Sequence, residues 1–235
     1  MSVRNGPVET GIHAARPAGA TYLAEVVSVD DPDGLARVQV RLLGFDGVEG
    51  HDAPIWARVA VPFAGADRGA FFLPDVDDEV LVSFVHGDPA QPVVIGGLWN
   101  GGARPPETLG GAGDRIDRWT IVGTRGTRIA IIEERAGQAT ISLTTPGGVS
   151  CELSERSGGR IELKAAGTTI LVNTSGVSID TPSRVKVNAS QVEVTAGMVT
   201  VNAGMSKFSG VVQCDTLISN AVVSMSYTPG AGNIW

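Results

Sequence analysis

Helical patterning, long apolar runs, aromatic rings and reactive side chains are all scarce in this 235-residue sequence, and each scarcity excludes a class of protein. No window of about twelve residues carries a capped 3.6-residue apolar period, so little helix is predicted. No apolar run approaches the roughly 18 residues of a membrane span, and no charged-then-apolar leader opens the chain; both features predict a product made in the cytosol. Cys151 and Cys214 lie far apart in alternating segments and read as buried, reduced thiols rather than a disulfide. His13, His51 and His86 have no second ligand beside them at metal spacing. Neither a Gly-x-Ser-x-Gly elbow nor a phosphate-cradling glycine loop occurs. Glu133 with Glu134, and Glu152 with Glu155, are the candidate carboxylate pairs for glycoside hydrolysis. Adjacent strand residues face opposite ways, however, and no aromatic sugar platform accompanies either pair. The expectation is a protein that is not an enzyme and has no cofactor or metal.

Charge is unevenly spread. Residues 1–100 hold 14 acidic and 6 basic side chains, whereas residues 101–235 hold 11 and 12. An acidic first part repels phosphate, so no nucleic-acid partner is expected. The composition changes at the same place, in the glycine- and proline-rich stretch from Asn100 to Pro106. The division read from these shifts is a flexible arm at 1–20, a barrel at 21–100, a linker at 101–113, collar strands at 114–160 and a strand repeat at 161–235.

The repeat is the most regular feature. Ile170–Asn173, Val177–Asp180, Val185–Asn188, Val192–Thr195 and Val199–Asn202 each alternate apolar and other residues before a small polar turn, with starts seven or eight residues apart. Such short strands bury one row and leave both edges open, so the unit must be stacked, against other chains as well as itself. Val211–Cys214, Thr216–Ile218 and Ala221–Ser224 continue the pattern. In the collar, Arg115, Arg118, Arg125, Arg128 and Arg135 alternate with Asp114, Asp117, Glu133 and Glu134, which suits both exposed ion pairs and pairing between subunits.

The region before the linker reads as a barrel. Tyr22–Val29 and Leu35–Leu42 flank the turn Asp30-Asp31-Pro32-Asp33-Gly34, and Ile55–Val61, Gly69–Phe72, Glu79–His86 and Pro92–Trp99 follow. Turn signals every ten to twenty residues suit an OB-type Greek-key barrel, in an all-β chain. Gly96-Gly97 suggests a place where two backbones approach closely. Asp75, Asp77, Asp78 and Glu79 are read as a solvated acidic loop, because their spacing lacks the glycine and terminal carboxylate of a calcium loop.

Ala24–Val29, Arg37–Val40, Trp56–Val59, Leu73–Val82, Gly87-Asp88-Pro89 and Pro92–Gly101, in this order and spacing, closely resemble one known module. It is the OB domain of the central spike of contractile injection machines, as in phage baseplate assembly protein V and VgrG-like proteins. The resemblance continues into the repeat and implies an intertwined trimeric β-helix or β-prism there.

It further implies a homotrimer seated on a baseplate hub protein, carrying a conical PAAR-type tip protein and making transient contact with a target membrane during puncture. The expected hub interface is Trp56, Phe71, Phe72 and Trp99; the expected tip interface is Tyr227, Pro229, Asn233, Ile234 and Trp235. Some phage spikes close themselves with a His-x-His iron site near the C-terminus. No histidine follows His86 here, which favours a separate tip. A trimeric receptor-binding fibre or adhesin is the alternative, and a polysaccharide-cleaving β-helix enzyme a third reading.

Overall fold

A computed structural model describes residues 20–45, 53–110 and 113–225. Among these residues there are strands and single 3-10 turns but no α-helix. The chain divides into two compact units at Arg184/Val185.

Alternating small apolar residues build the barrel. β1 (Tyr22–Ser28), β2 (Val38–Leu42), β3 (Ile55–Val59), β6 (Glu79–Phe84) and β7 (Pro92–Gly97) close in the order β1-β2-β3-β7-β6. The β3–β7 pair is parallel and the others are antiparallel. Every second residue faces inward, and the interior consists of Ala24, Val26, Val38, Val40, Ala57, Val80, Val82 and Val94, with Leu42, Ile55, Val59 and Phe84 packed against it. Valine and alanine fill so narrow a barrel without a ligand cavity. Tyr22 meets Phe84 edge to face at 5.4 Å.

The β1–β2 turn is ordered by one carboxylate. Asp31 accepts the backbone N–H groups of Asp33, Leu35 and Arg37 at 3.0–3.1 Å, and Arg37 Nη2 donates to its Oδ1 at 2.6 Å. The Arg37 guanidinium holds the Asp31 carboxyl well below the usual carboxylate range. The same guanidinium lies 5.7 Å from the Trp56 ring centroid.

Two expectations for the barrel need correction. Gly69–Phe72 is not a barrel strand: Arg68–Gly69 (β5) pairs back on Ala64–Gly65 (β4) as a two-residue ladder outside the barrel. Nor are Gly96 and Gly97 sites of close approach within the chain, since a Cβ on Gly96 would meet nothing within 4 Å and one on Gly97 only Glu79 O at 4.0 Å.

Beyond the linker, β8 (Arg118–Val122), β9 (Arg128–Ile132), β10 (Thr140–Thr144), β11 (Ser150–Ser154), β12 (Arg160–Ala165), β13 (Thr168–Asn173) and β14 (Gly176–Asp180) form one antiparallel meander. The first two repeat units therefore pair inside the chain, as β13 and β14. After Pro182 the pairing stops. Residues 185–225 form no ladder within the chain and alternate between bends and stretches without regular structure, every one of them exposed. The strands predicted at Val185–Asn188, Val192–Thr195 and Val199–Asn202 have the alternation but no neighbour here, because one chain supplies no second backbone at that level.

The β12–β13 hairpin turns through Ala166 and Gly167, at φ +49° and +79°. Positive φ at both central residues defines a type I′ turn, in which alanine is unfavourable and asparagine tolerated. Ala166→Asn is expected to stabilise the protein by about 0.5–1 kcal/mol, and Ala166→Val to destabilise it at least as much. Denaturant midpoints of the two variants check this.

Candidate self-assembly surface

Strict alternation combined with the hairpin register sorts the seven-stranded sheet into two unlike faces. One row across it reads Trp119, Ile131, Ile141, Leu153, Ile161, Val172, Val177, each directly opposite the next. The adjacent row on the same face reads Ile121, Ile129, Leu143, Cys151, Leu163, Ile170, Ile179. Cys151 and Ile170 are half-buried; the other twelve are 37–70 % exposed. Two hollows follow these rows. One of about 500 Å³ runs along Ile141, Leu153, Ile161 and Val172, and one of about 420 Å³ along Ile129, Leu143, Cys151, Leu163 and Ile170. Two apolar rows of this extent, open on an isolated chain, are the mark of a surface that another protein covers.

The opposite face is polar. Its central row is Thr120, Ala130, Ser142, Glu152, Glu162, Leu171 and Ser178. Glu162 pairs with Lys164 at 2.7 Å and with Arg160 on the same strand, and its carboxyl is held below its ordinary value by Lys164 first and Arg160 second. Near β8 and β9 the linker folds onto this face. Glu107 accepts from Arg128 and from Thr120 Oγ1 at 3.1 Å, and lies 3.6 Å from Arg118 Nη1. Arg118 also pairs with Glu134 and, at 3.4 Å, with Asp117. Burial opposes the Arg118 charge, but Glu134, Asp117 and Glu107 outweigh it and hold its pKa above the ordinary value. The Arg128 hydrogen bond chiefly keeps the Glu107 carboxyl below its ordinary value, against desolvation. Arg118, Arg128, Asp117 and Glu134 thus pair within the chain and fix the linker to the sheet. Glu107 was missed in the sequence because it sits in a glycine- and proline-rich stretch that reads as a spacer.

Of the four residues expected at a hub interface, two are brought together and two lie apart. Phe72 and Trp99 are exposed and share a cleft of about 630 Å³ with Asp75, Val76, Pro106 and Thr120–Thr124. Phe71, also exposed, lines a separate hollow with Phe63 and Leu73. Trp56 lies under Arg37 beside Pro92. None of the four is in the barrel core. Tyr227, Pro229, Asn233, Ile234 and Trp235 lie outside the described residues. Both cysteines are free thiols, but contrary to expectation neither is buried within the chain: Cys151 is half-buried on the apolar face and Cys214 is exposed. The acidic loop is tied to its own backbone, with Asp78 accepting from Asp75 N–H at 2.8 Å, while Glu79 accepts from Asn100 Nδ2 at 2.8 Å.

Residues 22–99, the barrel, match the family of type VI secretion system and phage-baseplate injector OB domains. Residues 140–206 match the phage baseplate V C-terminal trimerisation domain, and this stretch contains most of the apolar face. The chain belongs to the baseplate V and VgrG-like family. Its two matches together take in more than half of the sequence. Among curated relatives, the type VI secretion system spike protein VgrG2a of Pseudomonas aeruginosa is 38 % identical over 79 residues, covering 33 % of this chain and 9 % of the relative. VgrG3 of Vibrio cholerae, another type VI spike protein, is 41 % identical over 54 residues, 23 % of this chain and 5 % of its own length. The actin cross-linking toxin VgrG1 of Vibrio cholerae is 39 % identical over 54 residues, with the same coverage. The match spans less than a tenth of each of these relatives.

The linker lock titrates. Because the folded pKa of Glu107 is depressed below 4.5, its contribution is full above that value and is lost as the pH falls through the lower folded value. Glu107→Gln should cost up to about 1 kcal/mol at neutral pH, since the pairing is partly exposed. The gap from wild type should close as the pH drops below 4.5. Denaturation of both proteins from pH 7 to pH 2.5 measures it.

Proposed function

We propose that three copies of this baseplate V/VgrG-like chain assemble through the apolar face and the unpaired segment after it, forming the spike of a phage-tail-like or type VI contractile injection apparatus. The observation that carries this reading is the pair of apolar rows crossing all seven strands without one polar interruption. A surface covered only in passing would not hold fourteen such positions in register. Burying them at about 25 cal/mol per Å² gives an assembly free energy that a single chain forgoes. The match of residues 140–206 to a trimerisation domain supports three as the copy number.

In this reading the barrel seats the spike on the baseplate hub, with the exposed Phe71, Phe72 and Trp99 and the more sheltered Trp56 as candidate contacts. Tyr227–Trp235 would receive a tip protein. Sheath contraction would drive the assembly through the target envelope, so the work is mechanical and not catalytic. Stacked strands suit it, because bending requires many ladder hydrogen bonds and packed valines to yield together.

Sedimentation and scattering on the purified chain should return an elongated trimer; a monomer contradicts the proposal. Leu143→Asp places a charge in the middle of the apolar rows and should dissociate the trimer while the barrel stays folded, as read by intrinsic fluorescence and gel filtration. Deleting Tyr227–Trp235 should leave the trimer intact and abolish capture of a PAAR-type tip protein; undiminished capture refutes that assignment.

A further inference from the structure

The segment after Val185 changes its step part-way along. Bends fall at Ser183, Ser190, Gly197 and Gly204, seven residues apart. The next bend spans Ser209 and Gly210, and from Gly210 the bends at Asp215, Asn220 and Met225 follow at intervals of five. The sequence between the bends changes with the step. Seven-residue units carry two valines around an intervening residue, as in Val192-Glu193-Val194. Five-residue units are centred on one apolar position: Val212, Leu217 and Val222 are 60 %, 73 % and 62 % exposed, against 98 %, 92 % and 100 % for Val211, Ile218 and Val223 beside them.

We infer that Val211–Met225 is a second self-assembly section, in five-residue phase and narrower than the section before it, whose occupant is two further copies of this chain. The inference rests on the trimeric reading above and deepens it. Apolar side chains this exposed need a cover. A recurrence of five residues fits only a cover that advances by the same step, and the same chain is such a cover. Continuity points the same way: the trimerisation match ends at residue 206, immediately before the step changes, so the new section begins where the matched one stops. Each stacked side loses two residues, about 6–7 Å at the rise of an extended strand. The stretch from Met205 to the bend at Ser209 and Gly210 joins the two, and its exposed Phe208 supplies the bulk needed where a wider layer meets a narrower one.

The step predicts which deletions are silent. In the full-length chain, removing Thr216–Asn220 takes out one whole unit and should leave the trimer and the protease resistance of the residues after it unchanged. Removing the seven residues Thr216–Val222 shifts the phase by two and should lose that resistance, the trimer being held by the upstream sheet. In the preceding section the rule inverts: removal of Gln191–Gly197 should be silent, and removal of Gln191–Thr195 should not. If the two distal deletions behave alike, the five-residue phase is wrong although the trimer stands. A monomeric wild type would overturn this inference together with the trimeric reading.

Discussion

Outside the barrel, the described residues carry a large apolar surface that one chain does not cover. Eight of the nine fully buried apolar residues lie inside the barrel, and the ninth, Ala130, lies on the polar face of the sheet. The barrel has a closed hydrogen-bond perimeter and its own core. The sheet has a perfect ladder but an open apolar face, and the segment from Val185 has neither core nor ladder among the described residues. Closure within the chain therefore falls in three steps, and in the proposed trimer partner copies are needed in the same order.

That gradient explains where the charges went. In the sheet, charged side chains are confined to one face and to the hairpin loops, so the other face is free to be buried without an unpaired charge. Those that remain do positional work within the chain. Glu107 receives Arg128 and Thr120, and Arg118 bridges to Glu134 and Asp117, so the linker is fastened to the outer face instead of lying across the apolar one.

Much of this was legible in the sequence because strands announce themselves through alternation. The barrel valines and the seven-residue units could be read directly, and the family resemblance followed from residues 24–101. Register was not legible. That Trp119, Ile131, Ile141, Leu153, Ile161, Val172 and Val177 form one unbroken row depends on the number of residues in each of six hairpin loops, which only the folded chain fixes. Gly69–Phe72 looked like a strand because Phe71 and Phe72 favour one, but Arg68–Gly69 turns back on Ala64–Gly65 and Pro74 follows. The five-residue step was present in the spacing of Val211, Thr216 and Ala221, yet the longer repeat before it masked the change until the bends were placed. Of the expected interface residues, Phe72 and Trp99 share a cleft, while Phe71 and Trp56 lie apart, since sequence shows an aromatic but not the direction it faces.

The central claim is that the backbone from Val185 onward finds its ladder in other copies of the chain. Amide hydrogen exchange on the full-length protein at neutral pH tests this most directly, with the barrel strands as an internal standard. The account predicts that amides of residues 185–207 exchange as slowly as those of β1 and β6. Exchange of 185–207 at free-peptide rates, with the barrel still protected, would contradict it.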